Sequence, residues 1–145
     1  MRQLEEQLGA SAPSDLSSLM MSYDQIRSLA HHGPIVGSHT MTHPNMAYLQ
    51  EDQARTELEK SKQHLERELK ASIRHFAYPC PGLSPHWNAQ TVAQSRSAGY
   101  DSAVTINGGI TRCGDNPLAL KRVGPTKTLA GLRWNLEAAF AGRAE

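Results

Sequence analysis

The chain has 145 residues with 15 basic and 14 acidic side chains, a formal charge of +1. That balance excludes a strongly basic nucleic-acid binder and an acidic solvating tail. Mean hydropathy is −0.51, and no apolar run reaches the roughly 18–20 residues of a membrane span. The amino terminus, Met1-Arg2-Gln3-Leu4-Glu5-Glu6, shows no apolar secretory region. The expectation for the chain as given is therefore the cytoplasm, without nucleic-acid or membrane partners. Cys80 and Cys113 are too few for a disulfide framework and fit a reducing compartment.

Leu4 and Leu8 are spaced for a helix end, and Gly9 to Asp15 then breaks it. Residues 1–20 read as a linker or the remnant of a preceding element, and 21–145 as the domain proper. Ser22 with Gln25 forms a capping-box pattern. It opens a helix predicted to turn Tyr23, Ile26, Leu29 and Ala30 inward, stopped by Gly33-Pro34. Pro34 to Ser38 reads as a short buried strand, and His39 to Gln50 as a loop. Glu51 to Ala71 is the clearest helix. Ala54, Leu58, Ser61, Leu65 and Leu69 make one stripe, and the charged remainder reads as a solvated face.

Ile73 to Tyr78 is a second strand, ended by Pro79-Cys80-Pro81-Gly82. His86 to Ala98 is a helix stopped by Gly99. Tyr100 to Ile106 is a third strand, Asn107-Gly108-Gly109 a turn, and Leu118 to Val123 a fourth strand. Thr126 to Ala141 is a last helix, with Leu129, Leu132, Leu136 and Phe140 on one face. Strands alternating with helices predict parallel pairing in an α/β fold.

Two positions carry chemistry. In Ser38-His39-Thr40-Met41-Thr42-His43-Pro44, two imidazoles stand four residues apart just after a strand. Loops at the carboxyl ends of parallel strands are where sites form, and imidazole is a common ligand of transition metals. Thr40 stands where a zinc protease would carry its general-base Glu. The plain alternative is two polar histidines bonded to backbone. The second position is Phe76-Ala77-Tyr78-Pro79-Cys80-Pro81-Gly82. Pro79 and Pro81 lack an N–H, so Cys80 offers the one backbone donor between them, suited to an oxyanion. The plain alternative is a Pro-rich turn. The Cys80 side chain reads better as a small buried group than as a nucleophile. His31, His32, His64, His75 and His86 read as structural or solvated.

Together these segments resemble the polysaccharide deacetylase family, also called the NodB-homology domain. The likeness runs from the helix at Met21, through S-H-T-x-T-H-P and F-A-Y-P, to Gly99–Thr105 and Leu120–Val123. It implies a partial, distorted (β/α) barrel with about four strands and flanking helices. It also implies a metal-dependent hydrolase that removes acetyl groups from N-acetylated sugars, with carbohydrate as partner and a divalent metal, commonly zinc, as cofactor. Carried over by position, His39 and His43 are metal ligands and the Cys80 N–H is the oxyanion donor. Met41 and Tyr78 shape the substrate site. The family's T-F-D-D-G motif, which supplies the base and the third ligand, has no counterpart between Met1 and His39. Its late acid histidine is replaced by Leu120-Lys121-Arg122. The chain is therefore expected to be a carboxyl-terminal portion with impaired activity. The alternatives are an inactive carbohydrate- or metal-binding module of the same fold and an unrelated α/β domain. Unpaired strand edges would favour a homodimer.

Overall fold

The computed structural model describes residues 20–143. The chain divides into two compact units, residues 1–34 and 35–145. The predicted linker over 1–20 lies, except for Met20, outside the described residues.

The first unit contributes α1 (Tyr23–His31). Its capping box forms as the sequence predicts. The Gln25 N–H donates to Ser22 Oγ at 3.3 Å, and the Ser22 N–H donates to Gln25 Oε1 at 2.8 Å. The inward face does not form: no residue of α1 is buried. Periodicity marks an apolar stripe but does not supply an element to cover it.

The second unit is built on two short parallel strands, β1 (His75–Ala77) and β2 (Ser102–Val104). Phe76 pairs with Ala103. Single parallel bridges extend the ladder on both sides, Ser38 to Phe76 and Val104 to Leu120. The Ser38 N–H donates to His75 O at 2.8 Å, and the Leu120 N–H to Ala103 O at 2.8 Å. All four predicted strands thus occupy parallel positions, in chain order. The first and fourth are reduced to one bridging residue each, shorter than the predicted Pro34–Ser38 and Leu118–Val123. Gly37 lets the first of them come close, since a Cβ there would lie 3.0 Å from His75 O.

Among the described residues, three α-helices belong to this unit, α2 (Glu51–Leu69), α3 (Ala89–Ser97) and α4 (Leu129–Phe140), beside a 3-10 turn at Met46–Tyr48. α2 buries Ala54, Leu58, Ser61 and Leu69, as its stripe predicts, while Leu65 is half-buried. α3 begins three residues later than predicted. Asn88 is its cap, with Oδ1 accepting the Thr91 N–H at 2.9 Å. His86 precedes it in a loop.

One face of the strands carries Phe76, Tyr78, Ala103 and Thr105, all buried. Phe76 lies 5.1 Å from the rings of both Tyr78 and Tyr100. The Tyr100 hydroxyl donates to Leu58 O at 3.0 Å, and Ser38 Oγ to Ser61 Oγ at 2.7 Å. These bonds satisfy buried polar groups whose isolation would cost about 1–3 kcal/mol each. Lys62 departs from the solvated-face reading. Its ammonium donates to Ile73 O and to Gly99 O, and sits 5.0 Å from the Tyr100 ring centre. The opposite face presents His75, Ala77, Ser102 and Val104, half-buried, along a cavity of about 350 Å³. No helix among the described residues is long and apolar enough to cross a membrane.

Candidate active site

The loop after Ser38 leaves the sheet beside the carboxyl end of β1. His39 Nδ1 lies 2.7 Å from Ala77 O. A carbonyl only accepts, so Nδ1 is the donor, and in the neutral ring Nε2 is the atom left with the lone pair. This arrangement, a ring fixed by a backbone carbonyl behind it, is the common way a ligating histidine is oriented. The His43 ring stands 4.9 Å from the His39 ring, at 76° between planes. Both imidazoles are exposed.

The loop reaches this geometry through two residues in the left-handed region, Thr40 (φ 67°) and His43 (φ 57°). For non-glycine residues such conformations cost of order 1–3 kcal/mol each. What holds them is Glu57 on α2, a residue the sequence reading passed over. Its Oε2 accepts the Met41 N–H at 2.7 Å and the Thr42 N–H at 3.0 Å, and its Oε1 accepts the Thr42 hydroxyl at 2.7 Å. The His43 N–H donates to Thr40 Oγ1 at 3.1 Å. Burial pushes the Glu57 carboxyl up. The bonds from the Thr42 side chain and the Thr42 and Met41 backbone, with Lys60 nearby, outweigh it and hold the group below its ordinary 4.5. Glu57 stands one turn beyond Ala54, flanking the buried stripe at the end of α2 nearest the loop, a placement that the charged run of the sequence does not single out.

The second loop leaves β1 itself. Pro79 is fully buried and anchors it, and Gly82 turns it at φ 122°. Cys80 is exposed. Among the described residues its backbone N–H meets no hydrogen-bond acceptor. The two loops are tied together further out. Asn45 Nδ2 donates to Leu83 O, and the Tyr48 hydroxyl donates to Ser84 O at 2.8 Å. Asn88 Nδ2 also donates to Ala47 O at 3.3 Å. His39, His43 and Cys80 therefore stand on adjoining loops at one end of the parallel strands.

Met41 is half-exposed at the tip of the histidine loop. Tyr78 lies differently from the other candidates. Its side chain is fully buried, with the hydroxyl donating to Leu118 O at 3.0 Å and 3.2 Å from Ser95 Oγ. Burial raises its pKa above 10.0, with the Ser95 bond opposing. Its contribution is to the base of the second loop. Among the described residues, no group of three or more His, Cys, Asp or Glu side chains gathers around an ion. The two histidines alone fit part of a metal's donor set. An open catalytic zinc site takes three protein ligands.

The family profile of polysaccharide deacetylase matches residues 14–103, more than half of the chain. The chain belongs to the polysaccharide deacetylase family. Solved structures share its fold. The Streptococcus pyogenes deacetylase PplD, in complex with acetate, superposes with a TM-score of 0.71 at 24% identity, over 93% of this chain and 54% of its own. The BpsB deacetylase domain of Bordetella bronchiseptica gives 0.62 at 17%, over 71% of this chain and 48% of its own. BC0361, a polysaccharide deacetylase from Bacillus cereus, gives 0.64 at 22%, over 80% and 36%. The chain thus spans about half the length of the streptococcal enzyme, or less of the others. No curated protein sequence matches it significantly.

Proposed function

We propose that this chain carries part of the active site of a metal-dependent hydrolase that removes acetyl groups from N-acetylated sugars or polysaccharide. The observation that carries the reading is His39: its Nδ1–H is committed to Ala77 O, and its ring stands 4.9 Å from that of His43. When bound, a divalent metal such as zinc supplies Lewis acidity toward an acetyl carbonyl. His39 and His43 would hold it, and Glu57 keeps their loop in its strained conformation. The Cys80 N–H, free between two prolines, offers a donor to a developing oxyanion. Met41 borders the substrate, and Tyr78 acts from beneath by fixing the strand end. The four parallel strand positions fit part of a (β/α) barrel wall. A third ligand and a proton-transferring base would come from a longer protein, since the chain spans 54% of the streptococcal enzyme.

Zinc titration of the purified chain tests the metal site. Binding by the unaltered chain, abolished in the His39→Ala/His43→Ala double variant, is the expected result. Acetate release from chitooligosaccharide is expected only from a version extended upstream. Zinc binding without acetate release in either form would replace the enzyme reading with that of a binding module. No zinc binding in the extended form would remove the metal reading altogether.

A further inference from the structure

The Cys80 side chain has a partner that the deacetylase reading does not use. His86 is only 7% exposed. Its Nε2 lies 3.3 Å from Cys80 Sγ, and its Nδ1 is buried without a hydrogen-bond partner among the described residues. Cys80 is itself an exposed residue, and its contact with His86 is part-buried. The buried Pro79 and the turn at Gly82 fix where that sulfur stands. An exposed cysteine held against a buried imidazole is the arrangement of a nucleophile with its base.

We propose that Cys80 is a modification site, a thiol that exchanges with small disulfides of the glutathione class with His86 as its base. The site stands independently of the metal reading. As Sγ attacks one sulfur of the disulfide, its proton passes to His86 Nε2. A new S–S bond joins Cys80 to that sulfur, and the original S–S bond breaks. The departing thiolate takes the proton back from Nε2, so Cys80 is oxidised, the departing sulfur is reduced, and no further oxidant enters. The orphaned Nδ1 fits a transient role. With Nε2 facing the thiol as acceptor, the ring proton sits on the unpartnered Nδ1; a lasting imidazolium there would bury an unpaired charge, which is costly, so the ring holds the second proton only while the exchange proceeds.

Cys113, also exposed, serves as the reference thiol in the same molecule. The chain is incubated with oxidised glutathione, and the mixed disulfide at each cysteine is followed by peptide mass spectrometry. Cys80 is expected to react about tenfold faster than Cys113 near neutral pH, below the roughly 10²–10⁴-fold that positioned acid–base groups supply in enzymes. The advantage is expected to vanish in folded His86→Gln. In the unaltered chain the Cys80-to-Cys113 ratio is expected to shrink between about pH 6 and 9, as thiols ionise without help. That second measurement decides the matter if His86→Gln does not fold. Equal rates across the pH range overturn the proposal. So does an advantage that survives His86→Gln, or one that is flat with pH.

Discussion

α2 and α4 read alike in sequence and behave differently in the structure. Each has an apolar stripe at helical spacing. α2 buries Ala54, Leu58, Ser61 and Leu69 against the strands. α4 has a good cap, Thr128 Oγ1 accepting the Gly131 N–H at 3.1 Å, yet it buries only Ala139. Leu129 is 75% exposed and Phe140 69%. The shared apolar face of Leu129, Leu132, Leu136 and Phe140 is thus left exposed. The difference lies outside the helices. α2 connects two neighbouring strand positions, Ser38 and β1, and packs across their face, whereas among the described residues no strand follows α4. Amphipathicity states which side a helix would bury, and topology states whether it does.

The largest expected effect sharpens this contrast. Leu58 is fully buried beneath the sheet. Leu58→Ala is expected to destabilise the fold by about 2–5 kcal/mol, read as a lower midpoint in urea unfolding. An effect below ~1 kcal/mol would mean that α2 is not the clamp its burial indicates.

Next in size is the link from α2 to the site. Glu57→Gln keeps one oxygen and the side chain's shape but removes the charge that three donors from Met41 and Thr42 meet. The expected cost is about 1.5–3 kcal/mol, the range of hydrogen bonds to a charged group. It is read as faster amide exchange at Met41 and Thr42 and weaker zinc binding at His39 and His43. The same bond network sets a pH dependence. The folded carboxyl titrates below its ordinary 4.5, so its stabilisation is complete above that value and is lost as pH falls through the depressed one. Loop protection in the unaltered chain is expected to show this acid step, and Glu57→Gln to lack it. A step of the same size in both would assign it to another group.

Glu57 also marks how far the sequence could be read. The four strand positions, the long helix and both chemistry-bearing loops were legible, because strand-then-loop patterns and the His39–His43 spacing are local. Glu57 was not, because nothing in a charged helical run distinguishes a carboxylate that faces a loop from one that faces water. The His86–Cys80 pair was hidden for a similar reason. His86 looked like the start of a helix that Asn88 caps instead, and the cap swings it toward the preceding turn. The burial of Tyr78 was not legible, because a strand's carboxyl end marks the place in sequence while the pleat decides which face a residue there takes.

The smallest expected effect is the one that could break the comparison. Leu129→Ala mirrors Leu58→Ala in chemistry but removes a side chain already in solvent. It gives up little transfer free energy, and alanine is the better helix former. The expected change in stability is within about 0.5 kcal/mol, measured by the same urea titration. A loss approaching that of Leu58→Ala would require Leu129 to be covered in solution. Repeating the titration at several protein concentrations would then separate the cases. A midpoint that rises with concentration in the unaltered chain, and not in Leu129→Ala, would place a second copy over α4. A concentration-independent loss would place the cover within the chain itself, and the contrast between the two helices would dissolve.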